Sequence, residues 1–162
     1  MIATSLAAVV ITAASAIVPP SKPVLVWNGS GSAPRGFYRP ALKDDLAIGT
    51  WVLVRAPDWA QALAAARRYM PANVPLIKKI AAMPGDTVCR ANRSITRNGR
   101  VIAIALERDH NGRALPHWNG CRRLGPGAVF VINNPPHSFD SRYFGPVGRD
   151  RVIEEIVPLW TF

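Results

Sequence analysis

PLIKKIAAMPGDTVCRA, residues 75–91, decides how the rest of the chain is read. PLIKKIAAM is an apolar run interrupted only by the adjacent lysines Lys78 and Lys79. It reads as a strand that Pro84-Gly85-Asp86 stops, and DTVCRA opens another strand directly after that turn. Strand side chains alternate between faces, so one lysine of the pair points inward and the other to solvent. Lys78 shares its face with Leu76, Ile80 and Ala82. An exposed lysine has a pKa of about 10.4 and is protonated at neutral pH. One held against apolar groups, with a second cation beside it, gives up its proton more easily. The stretch reads equally well as an edge strand whose charges prevent aggregation.

Outward from this stretch the chain continues as short apolar runs broken by turn residues. Upstream, LVW (25–27) is a short run, and GTWVLVRAP (49–57) reads as a strand ended by proline. Downstream, SIT and VIAIALE read as further hairpin strands, with Asn98-Gly99 as a tight turn. GAVFVIN (127–133) is another strand, and RVIEEIVPLW (151–160) closes the chain. Only DWAQALAAARRYM (58–70) reads as a helix, with Asp58 placed to cap its N-terminus and Arg67 and Arg68 near its C-terminus. The expected fold is mainly β with one helical insertion and no internal repeat. At 162 residues, the simplest organisation is one domain, residues 21–162, behind an apolar segment, residues 1–20. A chain of this length buries a core without needing cross-links.

Residues 2–18 carry no charge and lie near the lower length limit for a bilayer-spanning helix. They read as a membrane anchor, as a cleaved export signal ending near Ala14-Ser15-Ala16, or as a buried core helix, the first two fitting better. Lys and Arg outnumber Asp and Glu by 20 to 10, a net charge of +10, which suits nucleic acid or anionic lipid as partners. The arginines are scattered, however, and no basic block or nucleic-acid motif occurs, so no nucleic-acid partner is expected. Cys89 and Cys121 lack zinc-site spacing and form no Cys-x-x-Cys. They are a disulfide candidate in an exported chain and two buried thiols in a cytosolic one.

WNGSGSAPRGFYRP (27–40) is either a flexible linker or a fixed seat for a serine hydroxyl. A serine is a poor nucleophile until a base takes its proton. His110 and His117 lie in turn-like segments and read as surface residues. His137, next to Ser138 and near Asp140, permits a Ser-His-Asp reading, but no nucleophile elbow surrounds it. The lysines are Lys22, Lys43, Lys78 and Lys79, and Lys78 in its apolar strand is the candidate base.

Three segments together resemble one family. GSGSAPRGFY resembles the nucleophile box of type I signal peptidases, KKIAAMPGD their lysine box, and SFDSRYFGPV (138–147) their Ser-x-Asp-Ser-Arg-Tyr-x-Gly box. Order and spacing agree from residue 28 to about residue 150. One residue, Ala33, separates Ser32 from Pro34, where general signal peptidases usually have two. With LPHWNGC and the two cysteines, this resembles the TraF branch, conjugative-transfer peptidases that mature pilin subunits. The resemblance implies a signal-peptidase-like β-barrel or sandwich and a serine endopeptidase with a Ser-Lys dyad. Ser32 would be the nucleophile and Lys78 the general base. The Ser30 hydroxyl and the Ser32 backbone N–H would stabilise the oxyanion. Ser138 would orient the lysine, and Asp140 and Arg142 would pair to hold the C-terminal box against the site. No metal or organic cofactor is implied. The implied substrate is a pilin precursor or another exported peptide, cut or ring-closed on the periplasmic side of the bacterial inner membrane. A general signal peptidase and a non-catalytic basic pilus-assembly module are the alternatives.

Overall fold

The computed structural model describes residues 25–41 and 46–162, so the anchor, signal and core-helix readings of residues 1–20 lie outside the described residues. Strands β1 (Val26–Asn28), β2 (Gly36–Pro40) and β3 (Trp51–Val54) precede helix α1 (Asp58–Ala66). There follow β4 (Leu76–Ala82), β5 (Thr87–Ala91), β6 (Ser94–Arg97), β7 (Arg100–Ile104), β8 (Gly120–Arg123) and β9 (Ala128–Ile132). A short helix α2 (Ser141–Phe144) leads to β10 (Val147–Gly148), a 3-10 turn at Arg149–Arg151, and the long β11 (Val152–Thr161).

The strands form two antiparallel sheets, one ordered β1-β2-β11-β3-β4-β9-β10 and the other β7-β6-β5-β8. KKIAAMPGD is the joint between them. β4 lies inside the larger sheet, paired with β3 on one side and β9 on the other, which rules out the edge-strand reading of the lysine pair. Both of its faces are covered, which explains its nearly continuous apolar run. Leu76 and Ile80 pack with Val52, Val54 and Val131, whereas Ile77 packs with Ala33, Tyr38, Leu53 and Ile156. A bulge between Ile80 and Ala82 then turns Ala82 into a different cluster with Val88, Ile95, Trp118 and Phe130. Such a bulge bends its strand and raises the local twist, and here it aims the chain out of one sheet into the next. The turn that follows is held by Asp86, whose carboxylate accepts the Met83 N–H at 2.9 Å, and by Gly85 at φ 92°, a left-handed conformation that favours glycine.

The helical insertion is present but shorter than its sequence suggests. Pro57, extended at ψ 148°, is the N-cap, so Asp58 is the first helical residue and makes no cap bond. Its carboxylate instead meets Arg151 at 3.0 Å. The helix stops at Ala66, and Arg68 turns into the left-handed region at φ 58°. Strands β2, β8 and β10 and the short helix α2 are additions to the expected set. Cys89 and Cys121 stand opposite one another in the β5–β8 register and are joined by a disulfide.

Candidate active site

Ser32 sits in the loop between β1 and β2, and two buried asparagines hold that loop in place. Asn28, the last residue of β1, accepts the Ser30 backbone N–H at 3.0 Å and the Ser30 hydroxyl at 2.8 Å through Oδ1. Its Nδ2 donates to the carbonyls of Ala33 at 3.1 Å and Pro34 at 2.9 Å, and the Tyr38 hydroxyl donates to Pro34 at 2.7 Å. Asn133, directly after β9, donates Nδ2 to the Ser32 carbonyl at 2.7 Å and to the Ile77 carbonyl at 2.9 Å. It also accepts the Lys79 N–H at 3.0 Å, which ties the serine loop to β4. Gly36 ends the loop at φ 140° with its Cα facing the Trp160 carbonyl, where a Cβ would collide with backbone. The stretch is therefore a seat fixed at both ends, not a linker.

Lys78 points into the interior from β4 and is 1% exposed. Its Nζ donates to Ser138 Oγ at 2.8 Å and lies 3.4 Å from Ser32 Oγ. Ser30 Oγ is 3.1 Å from Ser32 Oγ. Burial lowers the Lys78 pKa to about 8; the Asp140 carboxylate opposes that shift and the Arg142 guanidinium adds to it. Lys79, the other member of the pair, points to the opposite face and lies with Nζ 4.6 Å from the Trp51 ring centre.

Asp140 and Arg142 form a buried ion pair, where an ordinary surface pair would do little for the fold. Arg142 donates through Nε to Asp140 Oδ1 at 2.9 Å and through Nη2 to Oδ2 at 2.7 Å. Asp140 also caps α2 by accepting the Arg142 N–H at 3.1 Å. Beyond the pair, Arg142 donates to the Asn133 carbonyl at 2.7 Å, and Asp140 accepts the Asn133 N–H at 3.2 Å. The pair thus buttresses the asparagine that holds the Ser32 loop. His137 lies beside Gly31 in the cleft wall, and among the described residues it makes no hydrogen bond to Ser32 or Asp140. His110 also lines that cleft, while His117 lies in a separate hollow.

The structure therefore links Ser30, Ser32, Lys78 and Ser138 in one row of successive contacts, with Asp140 and Arg142 behind it. Asn28 and Asn133, which hold the serine loop, are positions that sequence reasoning missed. Each stands where an apolar strand runs into a turn, and an asparagine there reads as turn chemistry. Ser32 is flanked by two clefts. One, of about 350 Å3, is walled by Tyr69, Met70, Leu76, Leu106, Phe139 and Tyr143. The other, of about 360 Å3, is lined by Trp51, Lys79, Asn134 and Pro135 together with residues 31–34. No group of three or more metal-ligating side chains occurs among the described residues.

Residues 1–160 match the family model "Signal peptidase, peptidase S26", and the chain belongs to that family. Within it, the chain is similar to TraF proteins. It is 32% identical over 146 residues to the conjugal transfer protein TraF of Agrobacterium tumefaciens, covering 83% of this chain and 81% of that one. It is 35% identical over 89 residues to the conjugal transfer protein TraF of Agrobacterium fabrum, covering 54% of this chain and 50% of the relative. Identity to the plasmid transfer protein TraF of Escherichia coli is 32% over 91 residues, covering 54% and 51%. The match thus spans about half the length of the last two relatives. Among solved structures, a signal peptidase I from Enterococcus faecalis aligns with a TM-score of 0.42 at 18% identity, over 72% of this chain and 100% of that one.

Proposed function

We propose that the chain is a serine endopeptidase of conjugative transfer in which Lys78, in its neutral form, activates Ser32. The observation that carries this reading is the buried Lys78 amine, held by Ser138 and 3.4 Å from Ser32 Oγ. That distance is loose for a proton transfer, as sites without substrate often are. Lys78 takes the Ser32 proton as Oγ attacks a peptide carbonyl, and it returns that proton to the leaving amine. The products of this half are an acyl ester on Ser32 and a free amine. Water resolves the ester by hydrolysis, or the substrate's own N-terminal amine resolves it to a ring. The developing oxyanion is met by the Ser32 backbone N–H and by Ser30. The Ser30 hydroxyl has one hydrogen, which lies on Asn28 Oδ1, so it turns from Asn28 toward the oxyanion during attack.

The substrate in this reading is an extended pilin precursor or another exported peptide with small side chains at the cut. The names of the relatives, which are conjugal and plasmid transfer proteins, support the setting. The reading places the active site on the periplasmic side of the inner membrane, and an exposed aromatic cluster supports association with a membrane surface. Trp27 is 53% and Trp160 62% exposed, and they stand with Phe37 and Phe162 near the start of the described chain. Tryptophan at a surface of this kind suits the membrane–water interface.

The reading is tested by co-expressing the chain with a conjugative pilin precursor and weighing the product by mass spectrometry. A shortened or ring-closed pilin is expected with the unaltered chain, and uncut precursor with Ser32→Ala or Lys78→Ala. Processing by Lys78→Ala would remove the lysine from its assigned role.

A further inference from the structure

The two clefts that meet at Ser32 differ in chemistry. The first is walled mainly by aromatic and aliphatic groups, with Phe139 5.6 Å from the Tyr69 ring and stacked on Tyr143 at 5.8 Å, and it carries charge of both signs in Arg68, Lys78 and Asp109. The second, on the Pro34 side of Ser32, has Lys79 as the one charged side chain among the described residues that line it, with no carboxylate to offset it. Three features fix that cation relative to Ser32. Lys79 stands directly opposite Trp51 in the β3–β4 register. Its ammonium rests 4.6 Å from the Trp51 ring centre, a cation–π distance. Its backbone N–H is bonded to Asn133 Oδ1, and the same Asn133 side chain holds the Ser32 carbonyl. An ammonium has three donors, and contact with a ring face leaves donors free for an anion. Lys79 follows the proposed base by one residue, so its charge lies on the opposite face of the same strand, outside the proton-transfer path.

We propose that this second cleft is an acid-selective subsite, in which Lys79, steadied by Trp51, receives a carboxylate of the peptide on one side of the scissile bond. The inference rests on the serine-peptidase reading and adds the substrate chemistry to it. The carboxylate is either a Glu or Asp side chain or the free C-terminus of a short leaving peptide, since both present the same group. The opposite side of the substrate lies in the first, mainly apolar cleft.

The test uses matched fluorogenic peptides with small residues at the cut. In one set Glu, Gln or Lys is placed at each flanking position in turn. In the other the peptide ends shortly after the cut as a free acid or an amide. Values of kcat/KM are measured at one pH for the unaltered chain, Lys79→Gln, Lys79→Glu and Trp51→Leu. Expected is a preference of about tenfold for Glu over Lys at one position, or for acid over amide, a size typical of one added polar contact in a subsite. That ratio falls to near unity in Lys79→Gln, inverts in Lys79→Glu and weakens in Trp51→Leu, while cleavage of neutral amides persists in all four. A preference in the first set identifies a side-chain carboxylate, and one in the second a chain terminus. Cleavage with the same ratio in all four proteins, or with no preference at all, overturns the subsite and leaves the peptidase intact. No cleavage of any peptide or of the co-expressed precursor overturns both.

Discussion

Lys78 is a lysine at a position that disfavours its charge, and most of its expected behaviour follows from that. Its pKa, lowered by burial to about 8 from an ordinary 10.5, sets the sign of two pH effects. Below about pH 8 the folded and unfolded chains both hold the proton, so burying the charge opposes folding. Between about 8 and 10.5 only the unfolded chain holds it, so stability rises with pH across that window. Lys78→Met removes the penalty. Urea melts at pH 7 should show a gain of about 1–3 kcal/mol and a flatter rise above pH 8, with cleavage abolished. Lys78→Arg should be equally inactive because guanidinium keeps its proton. Asn133→Ala should leave the Ser32 and Ile77 carbonyls without their donor, lowering stability by about 1–3 kcal/mol and kcat more than KM, which steady-state kinetics checks. The approach of Lys78 to Ser32 was legible from the three family boxes taken together, since the lysine stretch alone read equally well as a charged edge strand. Asn28 and Asn133 were not legible. Their burial comes from contacts between strands far apart in sequence, which no local pattern carries.

At the scale of an element, α2 shows how four residues hold a site together. Its N-cap Asp140 and its residue Arg142 are a buried pair, and each also bonds Asn133. Arg142→Leu would leave a buried carboxylate unpaired. Chemical denaturation should show a loss of about 3–5 kcal/mol, far more than an exposed pair gives. Gly36→Ala at the start of β2 meets both an unfavourable φ and the Trp160 backbone, and it should be poorly folded where other loop substitutions are tolerated. The long apolar strands β4, β9 and β11 were readable because their side chains are buried on one or both faces. β8 was not, since Gly120–Arg123 is exposed throughout and carries no apolar alternation. α1 was readable in kind but not in extent: Pro57 sets its start, and Arg68 leaves helical geometry soon after its end. The helix-favouring composition of residues 67–70 is overridden where Arg67 and Tyr69 reach out to the segment around Asp109.

For the whole molecule, the division into two sheets was beyond the sequence. β11 inserts between β2 and β3, and that long-range pairing leaves no mark on local periodicity. The groups of the candidate site come from three parts of the chain that this arrangement brings together, namely the β1–β2 loop, β4 and the segment after β9. The disulfide belongs to the smaller sheet, where it closes a separation of 32 residues. Its reduction should lower stability by about 3–4 kcal/mol in the chain-entropy account, read as a fall in melting temperature. Ser32 and Lys78 are carried by the larger sheet and its β1–β2 loop, and the smaller sheet reaches the site through Arg90 and Trp118 and not through the sulfurs, so cleavage should persist after reduction. The central claim, that an uncharged Lys78 amine activates Ser32, is tested most directly by the pH dependence of Ser32 acylation in a single turnover. The account predicts a rate that climbs with pH about a midpoint near 8 and no acylation in Lys78→Arg. A rate unchanged from about pH 6 to about pH 10, or a Lys78→Arg protein that acylates normally, would contradict it.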